Sequence, residues 1–302
     1  MLVRWMVHNW MRSAAESAVR DGIQQTMDAS DDIEAASTEA LTQCRIAVVC
    51  ASPLEATGLV DLMGDVITTR CATFIEHVGL IDEVPVVIVE SSGQAEQIQQ
   101  AVEDVIAMYP VEWVIAAGFA TGLADGIGRD DIIMPQTLAT ADHAQINVGF
   151  SISEDVVNRT RGLHTGKLAS VAEVIRDEEG RRATAAEFGA IAADMESYWV
   201  AKSCQALKKR LMVVRVVSEA VGDKLPELVE NVLNQDSTAG KIGAATRAVF
   251  SKLSNVKEMW KLKSGAYQAS DRLAKYLVGV IAQLRLSLIH ISEPTRRTPI
   301  SY

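Results

Sequence analysis

Short apolar segments alternate with helix-forming segments along most of the chain, and this alternation limits the possible fold more than any other feature. "IAVVCA", "PVVIVE" and "LMVVRVVSE" are β-rich runs with the length of a buried strand, whereas "QAEQIQQAVEDVIAMY" has the period of an amphipathic helix. Strands that alternate with helices build a sheet that helices cover on both faces. The sequence therefore predicts an α/β fold with three layers, α/β/α, around a central mixed, largely parallel sheet.

Composition divides the chain into three segments. Residues 1–43 combine near-helical apolar spacing with the stretch "DASDDIEAASTEA", which predicts an N-terminal helical extension and an acidic linker. Residues 44–285 carry the alternating pattern and end in a helical part rich in Lys and Arg, which predicts one globular domain. Residues 286–302 contain "LSLIHISEPTR", which resembles the conceptual translation of a transposase sequencing adapter. We therefore expect an artefactual tail and a true C-terminus lost beyond Arg285; the alternative is a real helix end with a frayed tail.

Charge and cysteine usage argue against several classes of protein. The formal net charge of −10 repels phosphate backbones, so we expect no nucleic-acid partner. The four cysteines have neither the spacing of a metal site nor that of a disulfide framework, which predicts buried thiols in a reducing compartment and no metal. No apolar stretch is long enough to span a membrane. These features predict a cytoplasmic protein without stable membrane insertion.

Polar or glycine residues stand at the ends of several predicted strands, where α/β sheets bind their ligands. Taken singly, such residues are usually helix caps or turns. Their recurrence at successive strand ends predicts one shared cleft. The candidates are Glu55, Ser92, Gly118, Phe119, Met195, Glu196, Arg215, Ser218 and Glu219.

The segments "AVVCASPLE", "GFATGL", "ADMES" and "RVVSE", in this order, resemble the nucleoside phosphorylase superfamily. That family includes purine nucleoside and uridine phosphorylases, methylthioadenosine/S-adenosylhomocysteine nucleosidases, futalosine hydrolase and hopanoid-associated phosphorylases. The resemblance covers roughly Arg45 to Pro226, and "ADMES" is its most specific part. It implies an enzyme that cleaves the N-glycosidic bond of a purine-type nucleoside, forms a homo-oligomer and needs no cofactor, with phosphate as a possible co-substrate.

The resemblance also implies a role for each carboxylate. Glu196 would accept hydrogen bonds from the 2′- and 3′-hydroxyls of a ribose, and Met195 would lie against the sugar ring. Glu55 would orient and deprotonate a water molecule, and Glu219 would contact the base. Asp194 is expected to cap the helix that follows it.

Other site residues are assigned less specifically. Gly118, Phe119, Ser92 and Ser218 are expected to line the substrate site, and Phe119 is the best aromatic candidate for a ligand contact. Arg215 is expected near the nucleophile or paired with a site carboxylate; the alternative is a purely structural ion pair at the end of the sheet.

The acceptor of the sugar is open between water and phosphate. The segment "CASPLEATG" has Glu55 and no arginine to hold phosphate, which favours hydrolysis. Hydroxyl and amide groups near Ser92 and Gly118 could still form a small anion site, so phosphorolysis, including that of a lipid-linked nucleoside, stays possible.

The base end of the site departs from the family pattern. The family normally has an aspartate where this chain has Glu219, and one extra methylene moves the carboxylate by roughly 1.5 Å. An adjusted pocket, a different base or leaving group, and a slow or inactive enzyme, including a non-catalytic nucleoside-binding protein, are all compatible with that replacement.

Overall fold

The computed structural model describes residues 43–91, 94–223 and 256–292, with the side chains of the last helix described for residues 265–285. The predicted extension up to residue 42, residues 224–255, which include the start of the predicted basic helical part, and the tail beyond residue 292 lie outside the described residues.

The described elements follow the predicted alternation. The strands are β1 Ile46–Cys50, β2 Gly64–Arg70, β3 Phe74–Ile81, β4 Val84–Ser91, β5 Trp113–Gly122, β6 Ile132–Ile133, β7 Thr137–Ala139, β8 Gln145–Asn147, β9 Leu163–His164, β10 Lys167–Ser170, β11 Ala192–Asp194 and β12 Arg210–Glu219. The helices are α1 Pro53–Val60, α2 Ala95–Met108, α3 Glu154–Arg159, α4 Glu178–Phe188, α5 Ser197–Ala206 and α6 Val256–Ser292.

All described strands belong to one mixed sheet, whose main path runs β2-β3-β4-β1-β5-β11-β10-β7-β8, while β12 pairs with β5 and β6. The centre of the sheet is parallel, because β1 lies parallel to β4 and β5, and β12 lies parallel to β5. Strand β11 runs antiparallel to β5. Helices α1 and α6 pack together, as do α2 and α5, and both pairs contact the sheet. The predicted α/β/α architecture is confirmed.

The core lies around the parallel strands. Every residue of β1 is buried, as expected for a strand covered on both faces. Ile46 and Val48 belong to one apolar cluster with Leu277 and Ile281 of α6. Burying a side chain of this size stabilises the fold by about 1.5–3 kcal/mol relative to leaving it exposed.

Two elements differ from the sequence-based expectations. The antiparallel pair β2–β3 was not predicted, and β2 is a mostly exposed edge strand, so its sequence lacks the apolar run that identifies buried strands. Helix α6 continues past Arg285 to Ser292, into the segment expected to be adapter-derived. The origin of that segment stays a prediction. No described helix is both long and apolar enough to cross a membrane.

Candidate active site

The first turn of α1 directs Glu55 into the protein. Ser52 is the N-cap of the helix, and its hydroxyl and the Glu55 carboxylate form a capping box with each other's backbone amides. Glu55 Oε2 accepts hydrogen bonds from the amides of Ala51 at 2.9 Å and Ser52 at 3.0 Å. Glu55 Oε1 accepts a hydrogen bond from the amide of Phe119 in β5, at 2.8 Å. The carboxylate is thus buried at the junction of β1 and β5 and is not a surface helix residue.

Arg215 lies at the centre of three carboxylates. Its Nη2 atom is 2.9 Å from Asp194 Oδ2, and its Nη1 atom is 3.7 Å from Glu196 Oε2 and 3.9 Å from Glu55 Oε1. The arginine is fully buried in β12. The structure therefore brings together two of the predicted sugar-end residues, Glu55 and Glu196, on a single guanidinium.

Asp194 both caps α5 and holds Arg215. Its Oδ2 atom accepts a hydrogen bond from the Ser197 amide at 3.1 Å, which is the expected cap contact. Its Oδ1 atom accepts one from the Ser170 hydroxyl at 2.7 Å. Arg215 Nε also donates to Ser197 Oγ at 3.0 Å. These bonds fix the guanidinium, which leaves its Nη1 atom facing the other two carboxylates.

Gly118 is required by the close packing of this centre. It pairs with Arg215 in the β5–β12 register. A Cβ atom at Gly118 would lie 2.2 Å from Arg215 Nη1 and 2.4 Å from Glu55 Oε1. Any side chain here would displace both groups, so glycine is needed for space and not for an unusual backbone conformation.

The three carboxylates share one positive charge, and this imbalance changes their protonation. Burial raises the pKa of Glu55, and burial together with the charges of Glu55 and Asp194 raises the pKa of Glu196 to about 8. Arg215 acts in the opposite sense on both groups. The cluster of Glu55, Asp194, Glu196 and Arg215 therefore retains a proton near neutral pH.

One donor of this cluster has no partner within the part of the chain that the structure describes. Arg215 Nη1 is buried and makes no hydrogen bond, although it faces Glu55 and Glu196. A buried unsatisfied donor is costly and calls for an explanation. A small polar molecule that accepts from Nη1 and donates to a carboxylate would satisfy it.

The turn between β11 and α5 carries Met195 and Glu196, which were predicted at the sugar end. Glu196 Oε2 accepts a hydrogen bond from the backbone amide of Met195 at 3.3 Å, and both side chains are half-buried. Phe119 is also half-buried, directly after Gly118.

The end of β12 carries the predicted base-end residues. Its pairing with β5 shifts register between Val217 and Glu219, so Ser218 is the bulged residue, and Ser218 Oγ donates to the Ala120 carbonyl at 3.3 Å. Glu219 Oε2 accepts a hydrogen bond from Thr121 Oγ1 at 3.4 Å. Burial raises the pKa of Glu219.

Arg181 of α4 is the partner of Glu219 that sequence analysis missed. Its Nη2 atom lies 3.5 Å from Glu219 Oε2, and its side chain is fully buried. The segment "DEEGRRATAAEF" has the composition of a solvated helix face, and its low apolar content gives no sign that one of its two arginines is buried.

The predicted site residue Ser92 lies outside the described residues. His164 is bonded to Asp131, with 2.9 Å between Nε2 and Oδ2. In the described ranges, no group of three or more His, Cys, Asp or Glu side chains is arranged to hold a metal ion.

Comparisons with known proteins identify relatives of this architecture. A family model described as "Phosphorylase superfamily" matches residues 45–251. No curated protein matches the sequence. A solved 5′-methylthioadenosine/S-adenosylhomocysteine nucleosidase from Helicobacter pylori, complexed with butyl-thio-DADMe-Immucillin-A, has a TM-score of 0.61 at 18% identity and covers 80% of this chain and 99% of its own.

Two further structures have the same fold at equally low identity. The S. pneumoniae nucleosidase with the transition-state inhibitor MT-ImmA has a TM-score of 0.58 at 18% identity, over 79% of this chain and 99% of its own. Native futalosine hydrolase of Helicobacter pylori has a TM-score of 0.58 at 18% identity, over 80% of this chain and 99% of its own.

Proposed function

Because the chain belongs to the phosphorylase superfamily, as its motifs predicted, we propose that it cleaves the N-glycosidic bond of a purine-type nucleoside by hydrolysis. Such cleavage passes through a cationic sugar, and it needs a nucleophile on one face and assistance to the leaving base on the other. The two clusters at the ends of β5 and β12 supply groups for both tasks.

The observation that carries the proposal is the unsatisfied Nη1 atom of Arg215 between Glu55 and Glu196. A water molecule that accepts from Nη1 can donate to Glu55, which then takes its proton as the water attacks the sugar. The raised pKa of Glu55 suits this role, because a general base works best when its pKa lies near the working pH. Three backbone amides hold the Glu55 carboxylate in one orientation.

The charge around this position favours water over phosphate. Arg215 is already paired with Asp194 at 2.9 Å, and two further carboxylates lie within 4 Å of its other nitrogen, at 3.7 Å and 3.9 Å. A phosphate dianion would be placed beside acids that outnumber the available cation, and like charges repel. The fold is also shared with nucleosidases and a futalosine hydrolase, whose names describe hydrolytic enzymes.

The remaining roles follow the two clusters. Glu196 binds the ribose diol through its two acceptor oxygens, and Met195 lies against the ring. Gly118 and Phe119 line the sugar end, Glu219 and Ser218 contact the base, and Ser92 is proposed as a further substrate-binding residue. In this proposal the protein is a cytoplasmic homo-oligomer that acts on a free small-molecule nucleoside and needs no cofactor.

The test is a panel of purine nucleosides and 5′-modified nucleosides, assayed for free base and sugar products with and without phosphate. We expect base release at the same rate in both conditions, with free sugar as the product, and loss of release in Glu55→Gln. Strict dependence on phosphate with formation of sugar 1-phosphate would replace hydrolysis by phosphorolysis.

Non-catalytic nucleoside binding is the second candidate, because Glu219 replaces the aspartate that the family normally has at the base. Thermal stabilisation by a nucleoside without any base release would favour it, since a ligand that binds only the folded state raises its stability. Gel filtration tests the oligomer. A membrane-bound pool of the full chain would favour a lipid-linked substrate instead.

A further inference from the structure

Arg181 occupies an unusual position behind the base end of the site. The side chain is fully buried, although it begins on a helix rich in charged residues. Its Nη1 atom donates to the carbonyls of Ala220 at 3.1 Å and Val221 at 3.2 Å, and also to that of Asp223. Arg181 thus holds the loop 220–223, which directly follows Glu219, by hydrogen bonds to its carbonyl groups.

The charge of Arg181 is balanced by one side chain. Among the described residues, its ion-pair partner is Glu219, at 3.5 Å from Nη2. Its Nε and Nη2 atoms are buried and have no hydrogen-bond partner within the described ranges. A buried guanidinium next to a protonated, neutral Glu219 would be an uncompensated charge, which is strongly unfavourable in a protein interior.

The other groups facing Glu219 do not replace this effect. Arg129 lowers the pKa of Glu219 in the same sense as Arg181 but more weakly, because it is half-exposed and pairs with Asp223 at 2.6 Å, so its charge is largely balanced and screened. Asp223 is negative and acts on Glu219 in the opposite sense, and Thr121 contributes a hydroxyl donor at 3.4 Å. Arg181 is therefore the dominant buried cation at this carboxylate.

We propose that Arg181 is the positioning residue of Glu219, whose buried charge holds that carboxylate at the end of β12 and sets the pH range in which it takes up a proton. The inference rests on the proposed function for the catalytic role of Glu219, but the contact itself does not. This role explains how glutamate can function where the family normally has aspartate. The ion pair with Arg181, together with the hydrogen bonds from Arg181 to the following loop, restricts the position of the longer side chain.

The test measures the protonation of Glu219 without catalysis. The carboxyl carbons of ¹³C-labelled glutamate are titrated by NMR, with Glu219→Gln used to assign the signal. Replacing Arg181 with Gln removes the charge and keeps a donor for the loop, and we expect the Glu219 midpoint to rise by about 1–3 pH units. Arg181→Lys keeps the charge, and its midpoint should stay within about half a unit of the original.

Arg129→Gln is the matched control, since it removes the exposed contact to Asp223 but no buried charge. Its Glu219 midpoint should move by less than about half a unit. A purely structural arginine would lower stability in the Gln variant and leave the midpoint unchanged, which overturns the proposal. If that variant does not fold, a Lys variant whose midpoint differs by more than about one unit overturns it instead.

Activity then separates this inference from the proposed function. If base release occurs, the limb of the pH profile of kcat/KM that reports Glu219 should move upward in Arg181→Gln together with the NMR midpoint. If no nucleoside is cleaved while the NMR midpoint moves as expected, the hydrolytic function fails and the role of Arg181 stands.

Discussion

Replacing Gly118 with Ala should disable the sugar end of the site while leaving the fold intact. The added Cβ would lie 2.2 Å from Arg215 Nη1 and 2.4 Å from Glu55 Oε1, whereas ordinary contacts begin at 3.4 Å. Each neighbour must therefore retreat by about 1 Å. Both are buried and held by several hydrogen bonds, so neither can move without cost.

Two magnitudes follow from that displacement. Inserting one methyl group into a well-packed interior costs about 1–3 kcal/mol of the free energy of unfolding. A displacement of about 1 Å at reacting groups can lower kcat/KM about 10²-fold. The loss should be in catalysis as well as stability, because the displaced groups are the proposed base and the donor to the water.

The assay combines urea unfolding with base release from the best nucleoside of the panel. Gly279→Ala in α6 is the matched control, because within the described ranges no side chain and no backbone outside its own helical turn lies within 4 Å of the added Cβ, and the residue is exposed. That change should raise stability by about 0.5–1 kcal/mol, since alanine is the better helix former. A Gly118→Ala protein with unchanged stability and unchanged kcat/KM would refute the close packing of Gly118 against Arg215 and Glu55.

Three further predictions concern individual carboxylates. The folded-state pKa of Glu196 is raised to about 8 from its ordinary 4.5, so the native state binds the proton more tightly and this group makes stability fall as pH rises between those values. Glu196→Gln should flatten that part of the pH dependence of stability in urea titrations. An equally steep fall in the variant would contradict the assignment. Asp194→Ala leaves Arg215 without its nearest partner and should lower the free energy of unfolding by about 3–5 kcal/mol. As a control, Glu83→Ala at the exposed Arg285 pair should lower it by at most about 1 kcal/mol. Similar unfolding midpoints for the two variants would show that the buried pair is unimportant. Glu219→Asp moves the carboxylate away from Arg181 by about one bond length and should lower kcat without changing the fold. A gain of activity would instead support the interpretation that the protein with Glu219 is non-catalytic.

The parallel centre of the sheet could be predicted because local sequence patterns identify its strands. Strands β1, β4 and β12 are mainly apolar runs, and helix α2 has a clear period, so each element is identifiable without knowledge of its neighbours. The edge strand β2 is different. Its residues are mostly exposed, and its pairing with β3 depends on tertiary context that no local pattern records.

The sugar end could be predicted for a related reason. Glu55, Glu196 and Arg215 each stand at the end of a recognisable strand or at the start of the helix after it, and such ends converge in an α/β sheet. Their convergence on one place was therefore predictable. The number of acids around Arg215 was not predictable. Asp194 was expected only as a helix cap, but it also forms the shortest ion pair of Arg215.

The base end could not be completed from sequence, because Arg181 reaches Glu219 from a helix that is distant in the chain and otherwise polar. The two ends also differ in charge balance. In the part of the chain that the structure describes, Arg215 lies within 4 Å of three carboxylates, whereas Arg181 lies within 4 Å of one. With the pKa of Glu196 raised to about 8, this carboxyl at the proposed sugar end retains a proton near neutral pH. A diol that donates two hydrogen bonds to Glu196 favours the ionised carboxylate, so nucleoside binding should release that proton. The same binding step would thereby restore the negative charge that stabilises a cationic sugar, and it would do so only when a ribose is present.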